Sequence, residues 1–220
     1  MNQNLLALVL SYVYVFGIIG LGELLRRARG YSTDFTRKFI HIGVGMWAYG
    51  TVWLFADRGW AVIPPLSFVV INAISYRQQT FKAMETGERG QLGTIYFPLS
   101  FAAVIWLLWE QPHLLVASLM PMTWGDALAA VVGQRRGKRV YTVLGRRRTL
   151  EGSLTMFLVS LVATFLPLWG LPTSPLSAGT ALGAAAVTAL VAAITEALSP
   201  WGVDNLTVPA LSVLVLTLLR

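Results

Sequence analysis

The sequence predicts an all-α, polytopic membrane protein of about eight spanning helices, and three observations predict it. Of the 220 residues, 55% are hydrophobic and 12% charged, with a mean hydropathy of +0.64; a soluble chain carries about 25% charged residues. The apolar residues fall into runs close to the roughly 17–25 residues that cross a bilayer. The charges are left to the connectors. No stretch remains for a separate soluble domain, so 1–220 reads as one transmembrane unit.

The first run, Leu5–Leu25, lacks the basic leader and the small-residue cleavage site of a signal peptide, so it reads as a retained helix. Phe39–Ala56 is the second run. Trp60–Ser75 is short and contains Pro64-Pro65, which predicts a kink or tilt. Leu92–Trp109, His113–Val132, Ser153–Trp169 and Leu176–Leu198 come next, and Asn205–Leu219 closes the chain as a second short run. Gly179 and Gly183 have the spacing that packs membrane helices. The polar segment Arg77–Gln91 reads either as a surface helix or as a loop, with Gly87 and Gly90 favouring a loop end.

All Lys and Arg residues but Arg58 and Arg220 lie in three connectors, Arg26–Lys38, Arg77–Arg89 and Arg135–Arg148. With these spans, the three connectors share one side. Basic connectors fix orientation, which makes that side cytoplasmic and places both termini outside. The net charge of +7 is explained the same way and needs no nucleic-acid partner. The acids sort likewise: Glu23, Asp34, Glu85, Glu88, Asp126, Glu151, Glu196 and Asp204 lie near the cytoplasmic ends, and only Asp57 and Glu110 lie outside. A carboxylate in mid-span costs about 2.5–3.5 kcal/mol on insertion scales, so Asp126 and Glu196 are expected to face the protein interior.

Four constellations carry the chemistry. In "TRKFIHIGVG", helical spacing puts Arg37, Lys38 and His41 on one face. Gly43 and Gly45 then permit close backbone approach. Two cations and a histidine at a helix mouth suit a polyphosphate, although Arg37 and Lys38 also serve as orientation anchors. In "WGDALAAVVGQRRGKRV", Gly125-Asp126 precedes Gly133 and the basic loop with Lys138. A carboxylate there suits magnesium bound to a nucleotide phosphate, or equally an ion pair to a loop arginine. This is no Walker A loop: three residues separate Gly133 from Gly137, and Arg139 stands where Ser or Thr is needed. In "RRRTLEGSL", Glu151, Gly152 and Ser153 open a helix whose dipole alone accommodates the acid. In "TEALSPWGVDNLTVP", Glu196 is intrahelical, and Asp204-Asn205 opens the last helix, Asp204 fitting an N-cap. Asn72 is a weaker polar candidate of the same kind. With no cysteine, disulfides and thiolate metal sites are excluded.

Taken in order, "RKFIHIGVG", "GDALAAVVGQRRGK", "TLEGSL", a late acidic helix and "DNLTVP" resemble the polyprenol kinase family. That family comprises dolichol kinases, phytol kinases and CTP-dependent diacylglycerol kinases. The resemblance runs from about Arg37 to Pro209, and the compact length is most similar to bacterial phytol or prenol kinases. It implies that Arg37, Lys38 and His41, then Gly125, Asp126 and Gly133, then Glu151, Gly152 and Ser153 belong to the site. It also implies CTP as donor. The later glycine-histidine and paired-aspartate signature of the distantly similar cytidylyltransferases is missing.

The resulting expectation is a membrane kinase that moves the γ-phosphoryl group of CTP, with Mg2+, to the hydroxyl of an isoprenoid alcohol at the cytoplasmic face. Arg37, Lys38 and Lys138 are expected on the phosphates, joined by Gly125, Gly133, Gly152, Ser153, Asn72, Asp204 and Asn205 around the nucleotide. Asp126 is the first choice for the metal, with Glu151 or Glu196 helping, and His41 or one of these acids handles the hydroxyl. Rival expectations are phosphorylation of diacylglycerol, cytidylyl transfer, and a transporter or scaffold. A transporter places its polar groups near the midplane between inverted repeats, and no such repeat is visible.

Overall fold

The computed structural model describes residues 2–84 and 90–219. Glu85, Gly87, Glu88, Arg89 and Arg220 lie outside the described residues. Among the described residues the helices are α1 (Gln3–Arg29), α2 (Thr33–Gly45), α3 (Trp47–Leu54), α4 (Arg58–Ala61), α5 (Ile63–Gln78), α6 (Gly93–Leu108), α7 (Pro112–Met120), α8 (Ala127–Arg136), α9 (Leu150–Gly170), α10 (Ala178–Leu198) and α11 (Asp204–Leu218).

Each of the eight apolar runs falls on helix, but five helical stretches are long and apolar enough to cross a membrane: α1, α4–α5, α7–α8, α9 and α10. Helices α6 and α11 are apolar but shorter. The run Phe39–Ala56 is divided at Met46, where α2 ends and α3 begins. By length and composition, five full spans among the described residues stand where the hydropathy runs suggest eight.

The helices are layered around α7. Leu114, Leu115, Val116, Ala117 and Leu119 are buried completely or nearly so, and 72% of the apolar window of Pro112–Arg136 is buried, against 28% for α1. Helix α1 is peripheral and leaves Val9, Val13 and Leu21 exposed, an apolar surface suited to lipid. Between α7 and α8 the backbone widens into a π-helical turn, Pro121–Asp126. Pro121 causes this, because it lacks an N–H and its ring crowds the carbonyl four residues earlier.

Close backbone approach is arranged by glycines. A Cβ on Gly125 would collide with Ser160 Oγ, and one on Gly45 with Thr123 Cγ2. Gly133 and Gly152 face each other where α8 crosses α9; a Cβ on Gly152 would stand 3.4 Å from Gly133 Cα and 2.9 Å from Thr149 Oγ1. Gly183, by contrast, would place a Cβ in open space. The packing expected at Gly179 and Gly183 is found at these other positions instead.

The connector Arg135–Arg148 is not only loop. Val140–Val143 (β1) and Arg146–Thr149 (β2) pair antiparallel, with Val143 opposite Arg146. The two-residue turn has Leu144 at φ 47° and Gly145 at φ 75°, the pair of positive φ values that matches strand twist. This hairpin is a β element in an otherwise helical architecture. The connector after α5 is a loop in its described part. Its Ala83 and Met84 are buried beside Ile40, and Thr36 Oγ1 donates to the Ala83 carbonyl at 2.8 Å. Residues of all three basic connectors thus meet at one end of the helices. At the other end Asn4 Oδ1 accepts from Ala56 N–H at 2.8 Å, and Arg58 lies over Trp106.

Candidate active site

At the basic end opens a cavity of about 310 Å³, bordered by α1, α2, α3, α5, α6, α8, β2, the end of α10 and the start of α11. Helix α2 starts at Ser32, whose hydroxyl caps Phe35 N–H. Arg37 and Lys38 therefore stand in the second turn, with His41 one turn further in. The free amides of the helix start lie a turn before Arg37 and Lys38, so the positive field here comes from side chains. All three residues line the cavity, as the spacing required.

Lys38 Nζ donates to Asp126 Oδ2 at 2.7 Å. The π-helical turn supplies Asp126, and it also presents the Met122 carbonyl to His41 Nε2 at 2.8 Å. A carbonyl only accepts, so Nε2 carries the hydrogen and, in the neutral ring, Nδ1 is the acceptor. The imidazole packs against Phe97 with ring centroids 4.5 Å apart.

Glu196 comes from the last turn of α10, where Arg148 Nη1 meets its carboxylate at 2.8 Å. Arg148 also donates to the carbonyls of Glu196 and Ser199. Asp204 is the first residue of α11 rather than its cap, which is Val203. Carboxylate oxygens of Asp126, Glu196 and Asp204 lie within 4.8 Å of one another. Such a cluster is unfavourable unless cations offset it. Lys38 and Arg148 offset two members. No ion pair reaches Asp204 among the described residues; its Oδ1 accepts only the Asn205 N–H.

Hard oxygen donors gathered this way suit Mg2+. Neighbouring groups are also left unsatisfied: the Oδ1 atoms of Asn72 and Asn205, and Nε of Arg37 and of Arg148, are buried without a hydrogen-bond partner. All four residues line the cavity. Buried polar atoms in this state are rare in a finished core, and here they mark room for a polar ligand. Asn72 and Asn205 are steadied by their other atoms, donating to the carbonyls of Thr94 and Gly93.

Glu151, expected among the metal ligands, stands apart from the other acids. It does not line the cavity. Its carboxylate accepts the N–H groups of Lys138 and Arg139 at 3.1–3.3 Å and so pins the start of the hairpin. Thr149 Oγ1 caps the same helix by accepting from Gly152 N–H. Ser153 Oγ is 2.6 Å from Tyr141 Oη, a second tie between hairpin and α9. Gly125, Gly133 and Gly152 are helix-packing positions, and Lys138 is absent from the cavity wall. The structure thus brings together Arg37, Lys38, His41, Asn72, Asp126, Glu196, Asp204 and Asn205, and leaves Glu151, Gly152, Ser153, Gly133, Lys138 and Gly125 as its support.

Two charged wall residues were not singled out from sequence, Arg146 and Arg148. They alternate along β2, so both face the cavity while Arg147 does not. Period-two alternation was the signal, hidden because three arginines in a row read as a basic loop. Arg146 is further held over Trp201 at 4.6 Å.

The chain is similar in sequence to several known proteins. Over 216 residues, 96% of this chain and 90% of the other, the chain is 33% identical to a phytol kinase of Synechocystis sp.. It is 26% identical to a Glycine max protein described as "Probable phytol kinase 2, chloroplastic", over 96% of this chain and 74% of that one. It is 24% identical to a chloroplastic farnesol kinase of Arabidopsis thaliana, over 71% of this chain and 57% of the other. No family model matches the chain, and no solved structure matches it.

Proposed function

Because the chain belongs to the polyprenol and phytol kinase family, we propose that it transfers the γ-phosphoryl group of CTP to the hydroxyl of an isoprenoid alcohol such as phytol or geranylgeraniol. The observation that carries this reading is the two-sided cavity. One end holds Lys38, Arg148 and three carboxylates; the walls deeper in are Phe68, Phe97, Phe101 and Ile105. A water-soluble triphosphate and a greasy alcohol meet at that boundary. The three basic connectors around the cavity support placing it at the cytoplasmic face.

Phosphoryl transfer depends mainly on positioning and on offsetting charge. Lys38, Arg37, Arg146 and Arg148 form the cationic rim for the phosphates. Asp126, Glu196 and Asp204 would hold a divalent cation, which supplies further charge neutralisation on the phosphate oxygens. His41, fixed by the Met122 carbonyl, is placed to accept the hydroxyl proton at Nδ1. The alcohol oxygen bonds to the γ-phosphorus, the bond from that phosphorus to the β,γ-bridging oxygen breaks, and CDP leaves.

The test is direct. Purified protein is incubated with Mg2+ and each γ-labelled nucleoside triphosphate, against phytol, geranylgeraniol, undecaprenol and diacylglycerol. The expected result is labelled isoprenyl phosphate and CDP, with CTP as best donor. Release of pyrophosphate instead would establish cytidylyl transfer, and absence of any lipid product across the panel would overturn the kinase reading.

A further inference from the structure

The cavity reaches far deeper than phosphoryl transfer requires. On α6 its wall is made by Thr94, Phe97, Phe101 and Ile105; on α5 by Asn72, Phe68, Pro64 and, past the helix start, Ala61. On α2 and α3 it descends from Lys38 through His41, Val44 and Trp47 to Thr51. Each series advances by three or four residues, so each of the three walls presents one helical face along the same length. From Thr94 to Ile105 that length is about 16 Å at 1.5 Å per residue. The polar groups stop at the first turn, and below it the walls are apolar but for Thr51, whose hydroxyl is spent on the Trp47 carbonyl.

The far end is closed. Ala61 and Ile105 are each 1% exposed and Thr51 3%. One turn beyond stand buried Phe55 and Leu108, in one apolar cluster with Ala61, Val62 and Ile105. A depth of about 16 Å matches one leaflet of hydrocarbon, half of a roughly 30 Å core, which a single chain of ordinary lipid length fills. The 310 Å³ volume lies at the bottom of the range of about 300–1,000 Å³ for small-molecule sites. That volume is small for the two chains of a diacylglycerol.

We propose that Thr51, Ala61 and Ile105 form the floor of a chain-length gauge that selects a single isoprenoid chain of leaflet length. This deepens the alcohol-kinase reading and rests on it for the word alcohol. The hydroxyl end sits beside His41 and Asp126, and the tail runs between α3, α5 and α6 until it meets the floor. Alcohols of farnesol to phytol or geranylgeraniol length fit; undecaprenol overruns the floor and diacylglycerol overruns the walls.

The experiment uses the full chain in detergent with farnesol, geranylgeraniol, phytol, undecaprenol and diacylglycerol, and two readouts. One is phosphorylated product; the other is protection of the protein from heat-induced aggregation by each lipid alone. The wild type is expected to favour the single-chain alcohols up to the length of phytol in both. Ala61→Leu raises the floor and is expected to cut kcat/KM for geranylgeraniol relative to farnesol by about tenfold or more, the scale of one or two added methylenes in an apolar pocket. Ile105→Ala lowers the floor and shifts the optimum toward longer chains. An unchanged length profile in folded variants, or equal use of undecaprenol and geranylgeraniol by the wild type, would overturn the gauge. Should Ala61→Leu fail to fold, Ile105→Ala and the wild-type panel decide. Heat protection with the stated length profile but no phosphorylation would overturn the kinase reading and leave the gauge standing.

Discussion

Lys38 and Asp126 are 88 positions apart in the chain and 2.7 Å apart in space, with side chains 13% and 12% exposed. That pair joins α2 to the π-helical turn and sets the cationic rim against the acidic cluster. Replacing Lys38 with Met leaves Asp126 beside Glu196 and Asp204 with its counter-ion gone. Loss of one partner of a buried pair costs about 3–5 kcal/mol, read as a lower unfolding temperature in detergent. The double change Lys38→Met with Asp126→Leu recovers most of that stability and none of the activity. Asp126→Asn, close in shape, stays folded and loses transfer by at least about a hundredfold; normal turnover by this variant would remove the central residue of the site.

The three-carboxylate cluster predicts which side chains govern the metal requirement. Glu196→Gln and Asp204→Asn should each raise the Mg2+ concentration for half-maximal rate by about tenfold or more. Glu151→Gln should leave that midpoint where it was. Magnesium titrations of the three variants separate the two assignments, and a shifted midpoint confined to Glu151→Gln would reverse them.

Glu151 acts on the hairpin instead. Glu151→Ala frees the N–H groups of Lys138 and Arg139 and loosens the strand that carries Arg146 and Arg148. The nucleotide KM is expected to rise several-fold with kcat little changed, and protease cleavage within 137–148 to accelerate. A fall in kcat with unaltered KM would argue for direct participation.

Gly125 precedes the central carboxylate because nothing larger fits against α9. Gly125→Ala is expected to cost about 1–3 kcal/mol by overpacking, seen in thermal unfolding. Adding Ser160→Gly, which removes the nearest atom in the way and leaves Met156 Sδ at 2.8 Å, should restore part of the loss; no rescue would mean the strain lies elsewhere.

The chain has no cysteine, so single cysteines report sidedness cleanly. Lys82→Cys and Arg147→Cys should be shielded from an impermeant maleimide added to intact cells, while Asn2→Cys and Gln111→Cys should react. Labelling of positions 82 and 147 from outside would invert the orientation read from the basic connectors.

The helices were legible because lipid imposes a crude rule on sequence, and each apolar run became helix. Their lengths were less legible: hydropathy does not register the division at Met46 or the widening at Pro121, which are local backbone events. Lys38, His41 and Asp126 were readable as polar intrusions into apolar runs. Their partners were not, since a pairing across 88 positions has no local signature. Arg148 was overlooked for a related reason: "RRRT" has strand alternation only once Leu144-Gly145 is known to turn, and that dipeptide signals a hairpin less strongly than Asn-Gly does. Glu151 is the opposite case: a conspicuous acid beside glycine and serine whose carboxylate accepts backbone N–H groups and does not line the cavity.

The wide turn Pro121–Asp126 holds about one residue more than an unbroken α-helix would need to cover the same path. Winding the same residues into unbroken α-helix would add one residue to that path and rotate α8 by about 100° relative to α7. Asp126 would then be carried round to the far side of its helix, out of reach of Lys38. In this short stretch the phase of a helix, rather than the identity of any residue, decides whether a chain that still folds also reacts.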